Sequence, residues 1–352
     1  MPIEASVEDW RIVKKRWEAW WDCDIFDRVV TCISAPRDGV ESTAAREADP
    51  KTRWTDVDYL IRSMHDQIRN TWYGGEGLPL FYHGWSVGHS LMFGCKPHFA
   101  QDTIWVEPVP RDGLTFEEWE DHPWWTWILE ATKKVTRASR GEYFVLPVWG
   151  NHAGDNLALI CGSEQLAMDV ALDPDWVAAA VKRISDILMT QFDRLWELVQ
   201  ASELGIEGSV NYCGCWSPGK TLGFDCDISC MVSPDAFQRM FLPPLVETMH
   251  SVDHRIYHLD GPCALHHLDA LLDLPELHAI QWVPGAGQEE IMQWVPLLQR
   301  IQTAGKAIQV SVAPDEVEPL MAVLRREGLC LCTRSTSEGE GRRLLERVSQ
   351  SV

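Results

Sequence analysis

With 352 residues, 45% of them hydrophobic, the chain can bury a large core, and none of its apolar runs is long enough to cross a bilayer. A formal charge of -21 repels phosphate backbones and anionic lipid surfaces, which excludes nucleic acid and membranes as expected partners. Eleven cysteines, behind an N-terminus with acidic residues where a secretory signal carries its apolar core, point to a cytoplasmic protein with reduced thiols.

The run SVEDWRIVKKRWEAWW predicts a helix, the main part of an N-terminal helical extension over residues 1–26. Strands are then predicted at VVTCISAP (29–36) and LPLFYHGW (78–85), with a Trp-rich insertion, TIWVEPVPRDGLTFEEWEDHPWWTW, behind the second. YFVLPVWG (143–150), LGIEGSVNY (204–212), RIYHLDG (255–261), AIQWVPG (279–285), AIQVSVA (307–313) and LCLCTRS (329–335) make up the eight. Between them lie helical patterns such as DPDWVAAAVKRISDILMTQFDRLWELVQAS and SPDAFQRMFLPPLVETMHSV, apolar at three-to-four-residue spacing. Strand followed by helix implies a parallel sheet. Eight such units, with no repeat or linker, predict one domain over residues 1–352, an α/β fold of the (β/α)8 TIM barrel type. No G-x-G-x-x-G or Walker loop follows a strand, and no G-x-S-x-G or H-E-x-x-H motif is present, so nucleotide-binding, serine-hydrolase and zincin chemistry have no support.

In a barrel the reactive groups lie at the C-terminal ends of the strands. The fifth strand ends Tyr257-His258-Leu259-Asp260-Gly261, and alternation puts His258 and Asp260 on one face. An imidazole and a carboxylate so placed share a zinc ion, pass a proton, or make a structural hydrogen bond. Cys330 and Cys332 share a face of the last strand and are zinc ligands or buried hydrophobes; Cys213 and Cys215, behind the fourth strand, are rival ligands. Asp225 and Asp227, in the loop after them, are candidate catalytic carboxylates or helix caps. Tyr82, His83, Trp149, Asn151, His152, Asn211, Trp216, Gln281 and Trp282 at the other strand ends suggest an aromatic-walled cavity for a small-molecule substrate. His266 and His267, adjacent on a helix, diverge and are assigned to packing or solvent exposure.

The stretch from Asp225 to Gly287 resembles the uroporphyrinogen decarboxylase superfamily. There an aspartate precedes an SP-x-x-F…P helix, here Asp225 or Asp227, Ser233-Pro234, Phe237 and Pro243; a strand then ends in His, one residue, a Cys or small residue and Gly, here His258 to Gly261. Asp27-Arg28-Val29 is similar to the family's lead into its first strand. The decarboxylase itself continues with an Arg-rich signature that holds the substrate propionates, whereas this chain has VVTCISAPRDG, with Arg37 alone. The resemblance is therefore closer to the superfamily's zinc methyltransferases, which act on methylated corrinoid proteins or methylated small molecules. It implies zinc as cofactor, His258 as first ligand, Asp260 where the family has cysteine, and Cys330 or Cys332 as last ligand, with a corrinoid met through the substrate or a corrinoid protein partner. Zinc-assisted methyl transfer is the expected function. The alternatives are a metal-free decarboxylase or lyase of a small carboxylate or tetrapyrrole-like substrate, with His258 and Asp225 or Asp227 as proton donors, and a non-catalytic barrel that binds a corrinoid or tetrapyrrole. The methyl donor and acceptor, and pairing into a homodimer, stay open.

Overall fold

The computed structural model describes residues 8–43, 46–147, 150, 152–200 and 207–350. Its first helix, α1 (Trp10–Trp21), begins where the Asp9 carboxylate accepts from the Arg11 N–H, and it buries Trp10, Val13, Trp17, Trp20 and Trp21 along one face. The strands that follow are β1 (Val30–Pro36), β2 (Thr71–Gly75), β3 (Leu80–Phe81), β4 (Phe144–Val145), β5 (Ser209–Val210), β6 (Thr221–Phe224), β7 (His254–Asp260), β8 (Ala279–Val283), β9 (Ala307–Ser311) and β10 (Leu329–Arg334). Seven of them form one sheet in the order β2-β1-β10-β9-β8-β7-β6, parallel throughout except for β2, which runs antiparallel to β1. A short parallel pair, β3 with β4, and a hairpin of β5 with Trp216–Ser217 stand beside it.

The expected α/β class with a central parallel sheet is therefore present, but among the described residues the ring of eight parallel strands is not closed by hydrogen bonds. The edges of the sheet are β2 and β6. Among the described residues, the strands expected at 78–85, 143–150 and 204–212 are two residues each. Pro79 and Pro147 flank the β3–β4 pair and have no N–H to extend a ladder. Two sheet strands escape sequence patterning. β2 runs straight out of a helix, α2 (Val57–Asn70), and ends at Gly75, whose φ of 61° and closeness to the Thr31 carbonyl leave no place for a Cβ; β6 is only four residues, set in what reads as a loop.

The sheet is buried on both faces, as parallel sheets are. Outward residues such as Ile33, Tyr257, Leu259, Ile280, Trp282, Ile308, Val310 and Leu331 share a core with the covering helices. The alternate, inward residues Val30, Ile256, Ala279, Ala307 and Cys330 form a second core with Phe144, Val210, Trp216 and the indoles of α1. Ala279 and Ala307 leave room for those rings, and two indole N–H groups are satisfied by backbone: Trp20 Nε1 donates to the Ile308 carbonyl (3.2 Å) and Trp21 Nε1 to that of Trp216 (2.8 Å). Because α1 seals the N-terminal end of the inner face, the polar inward residues one step along each strand, Cys32, His258, Gln281, Gln309 and Cys332, lie beyond the indoles toward the C-terminal ends.

Among the described residues, no helix is long and apolar enough to cross a membrane. What ties α1 to the sheet is a buried ion network. Glu76 has 0% exposure and accepts from Arg16 Nη1 (2.9 Å), Arg28 Nη1 (2.8 Å), Arg28 Nη2 (2.9 Å) and the Thr31 N–H (2.8 Å), while Asp27 takes Arg16 from the other side. Glu76→Ala takes from the buried Arg28 guanidinium its two close carboxylate contacts and leaves Arg16 with Asp27, and it is expected to lower unfolding free energy by about 3–5 kcal/mol in urea titration; a loss under ~1 kcal/mol would show that the network does not hold the helix.

Candidate active site

Strand register builds the centre of the site. His258, Gln281 and Gln309 are direct neighbours on β7, β8 and β9, and all three point inward. The His258 Nδ1–H donates to Gln281 Oε1 (2.5 Å), Gln281 Nε2 donates to Gln309 Oε1 (2.8 Å), and Gln309 Nε2 donates to the Cys213 carbonyl (2.7 Å) and toward Cys332 Sγ (3.5 Å). An amide oxygen can only accept, so the relay fixes the proton of the neutral imidazole on Nδ1 and leaves a lone pair on Nε2. That is the tautomer that binds a metal or accepts a proton at Nε2.

Carboxylates crowd one end of this relay. Asp227, His258 and Asp260 bring ligand atoms within 4.8 Å of one another. Behind them Asp225 accepts from the Tyr212 hydroxyl (2.9 Å) and the His152 N–H (3.2 Å). Asp155, buried near the start of α3 (Ala153–Cys161), accepts from the N–H groups of Asp227 (2.9 Å) and Ile228 (2.8 Å). Burial, then the charges of Asp225 and Asp227, raises the Asp155 carboxyl well above the ordinary range. The Asp227 carboxyl is pushed up to about 6 by burial, then by Asp225 and Asp260, with His258 opposing. Asp227 is exposed as a residue, so solvent screens part of that shift; its direction rests on the adjacent carboxylates as well as on burial. Among the described residues, neither Asp227 nor Asp260 is paired with a lysine or arginine.

Cysteines gather at the other end. Cys32, Cys330 and Cys332 also bring their sulfurs within 4.8 Å of one another, and no group of this kind among the described residues joins them to His258. Hydrogen bonds from Cys32 and Cys330 hold the Cys332 thiol well below its usual range, while burial raises Cys330. A cleft of about 820 Å³ opens above them, lined by Cys32, Cys213, Cys332, Tyr73 and Arg334, with Glu289, Glu290 and Asp315 also on its wall. The set expected from sequence, His258 and Asp260 with Cys330 or Cys332, is thus distributed over two clusters bridged by the two glutamines. The rivals separate too: Cys213 lines the cleft with its thiol raised by burial, and Cys215 is sealed in the inner core.

Among the described residues, the expected aromatic wall is not assembled. Trp282 follows Gln281 on the strand, so it points to the opposite face and packs on Trp294 (4.9 Å between rings) in the outer core. Trp216 lies in the inner core against Trp10, with Nε1 donating to the Glu207 carbonyl. Asn211 is structural: its Oδ1 accepts from the N–H groups of Cys213 and Cys215, and its Nδ2 donates to Thr221 Oγ1. His83 is buried and accepts at Nδ1 from the Trp85 N–H, and His152 bonds the Gly223 carbonyl (2.6 Å). Tyr82 is 56% exposed. Trp149 and Asn151 lie outside the described residues. His266 and His267 bond the carbonyls of Val232 and Ser229, holding the segment behind Asp227.

Sequence reasoning missed Cys32, Gln309, Asp155, Tyr212 and Arg334. One signal was there to be found, because Gln281 and Gln309 occupy the same place in two Ala-Ile-Gln strands that pair residue for residue. Cys32 carried no such mark, since its partner on the neighbouring strand is three hundred residues away in the chain and register between distant segments is invisible in one sequence.

No protein-family profile matches the chain, and no curated protein sequence matches it. Among solved structures, a methyltransferase from Methanosarcina mazei aligns with 96% of this chain and 98% of its own at a TM-score of 0.63 and 12% identity. At that identity the likeness establishes a shared fold.

The crowding of Asp227 has a consequence for metal-free protein. Between the unfolded carboxyl value of 3.8 and about 6, the folded state binds a proton that the unfolded chain releases, so this group's contribution to stability is lost as pH rises through that window. Asp227→Asn, always neutral, is expected to gain on the wild type from pH 4 to pH 7 in urea unfolding; a difference constant with pH would refute the raised carboxyl.

Proposed function

We propose that the protein is a methyltransferase-like enzyme of the uroporphyrinogen decarboxylase type, a (β/α)8 barrel that carries out zinc-assisted methyl transfer at its strand C-termini. Barrel closure is supported by the inner core, which collects residues of β1, β4, β5, β7, β8, β9 and β10 around α1 although no ladder completes the ring. Methyl transfer is supported by likeness over nearly the full length to a structure that bears that name. The single observation that carries the metal reading is His258, its Nδ1 proton held by Gln281, standing beside Asp260 and Asp227 at the strand ends. A histidine that gives its other N–H to an amide oxygen is how proteins orient a zinc ligand, and two carboxylates without a cationic partner suit the ion.

His258, Asp260 and Asp227 would hold the zinc, which would supply a Lewis acid able to lower the pKa of a bound thiol and make it a nucleophile toward a methyl group. The chain's own residues do the rest. Gln281 and Gln309 keep the imidazole in one tautomer and one orientation, Tyr212 and the His152 N–H fix Asp225 behind the ligands, and the α1 indoles keep water out from below. The methyl donor on this reading is a methylated compound or a methyl-corrinoid protein; the 820 Å³ cleft lies over the cysteine end of the relay, and its lining does not include His258, Asp227 or Asp260.

His258→Ala is expected to remove about one equivalent of zinc per chain from protein purified without chelator or metal-affinity resin. Gln281→Leu is expected to weaken zinc binding ~10–100-fold while leaving the fold intact by circular dichroism. Unchanged zinc content in His258→Ala sinks the reading. The raised Asp227 carboxyl favours one rival, metal-free acid–base chemistry with Asp227 as proton donor; activity that survives exhaustive chelation and falls in Asp227→Asn would move the assignment there.

A further inference from the structure

We propose that Cys32, Cys330 and Cys332 form a second metal site, a three-thiolate seat for Zn²⁺ whose fourth coordination position opens into the cleft. It is separate from the His258 centre and does not rest on methyl transfer.

Register and alternation create it. β1 and β10 pair Cys32 with Cys332 directly, and Cys330, two residues before Cys332, faces the same way. Zinc–sulfur bonds of ~2.3 Å at tetrahedral angles place sulfurs about 3.8 Å apart. Three sulfurs already within 4.8 Å of one another therefore need to close by at most about 1 Å, which side-chain rotation supplies. Three sulfurs and no oxygen select a soft or borderline cation over magnesium or calcium. On binding, the three thiol protons go to solvent and the zinc trithiolate carries one net negative charge. Arg334, two residues beyond Cys332 on the same face, is the one basic side chain among the described residues that line the cleft.

Simple burial accounts for Cys330, which has 0% exposure, but not for its two companions. Cys32 and Cys332 are half-buried and line the 820 Å³ cleft, so a cation from solvent has a path to them and an open position once seated. The Gln309 amide N–H directed at Cys332 Sγ (3.5 Å) is the kind of outer hydrogen bond that metal thiolates receive.

The test uses the full chain, reduced and stripped of metal, titrated with Cd²⁺ as a spectroscopic stand-in for zinc. A thiolate-to-cadmium charge-transfer band is expected to saturate, to survive His258→Ala, and to weaken with at least ~10-fold poorer binding in both Cys32→Ser and Cys332→Ser. In the wild type, with no substitution to disturb folding, Cd²⁺ is expected to slow alkylation of Cys32 and Cys332 while leaving the half-buried Cys23, remote from the cluster, unchanged. Absence of the band, its loss in His258→Ala, or equal alkylation of Cys32 and Cys332 with and without Cd²⁺ would overturn the site. Zinc content unchanged in His258→Ala, with the band retained, would instead refute only the His258 centre.

Discussion

The molecule depends on covering both faces of a parallel sheet, and the inner face is covered from one end only. Helix α1 presses four tryptophans against Val30, Ile256, Ala279, Ala307 and Cys330, inward positions in the N-terminal halves of five strands. Once that end is dry and apolar, a polar inward side chain is affordable only farther along each strand, where it meets water or another polar group. The position of the site is thus a result of where α1 sits. The Arg16–Glu76–Arg28 network that anchors the helix to β1 and β2 belongs to the same device, because a helix free to slide would uncover the inner core.

The two glutamines follow from that constraint. Gln309 is almost fully buried and Gln281 is half-buried, and an amide left without partners costs about 1–3 kcal/mol per unsatisfied group. Parallel register sets them side by side, so each satisfies the other, and the ends of the relay must be an N–H donor on one side and an acceptor on the other. His258 Nδ1 and the Cys213 carbonyl meet those needs. A requirement of burial therefore doubles as a device that fixes the imidazole tautomer, and it separates the carboxylate cluster from the cysteine cluster by the width of two strands.

Much of this was legible in the sequence. The five best-formed parallel strands, β1 and β7 to β10, lie where apolar runs predicted them, because each carries a clear two-residue alternation between outer core and inner face. The His258/Asp260 pairing on one face followed from the same alternation. Two limits appear where alternation stops being informative. Trp282 looked like cavity wall, yet its neighbour Gln281 took the inward direction and sent the indole to the outer core. Cys32 looked like one more buried thiol, because only pairing between segments three hundred residues apart sets it beside Cys332. Short strands interrupted by proline and glycine carried too little pattern to show that β3, β4 and β5 would stay outside the sheet.

The charge of the chain gives the site its electrostatic character. An excess of acid is usually spread over the surface, where water screens it. Here Asp155, Asp225, Asp227 and Asp260 converge on one end of the relay, and the structure answers the repulsion within the first of them by raising its proton affinity and donating two backbone N–H groups to it. Asp225 is answered by Tyr212 and the His152 N–H. Asp227 and Asp260, the two next to His258, receive no cationic partner from the described residues. Placing the uncompensated pair against a tautomer-fixed imidazole concentrates negative potential at one point of the strand ends, and on the proposed reading that point is where a cation is held.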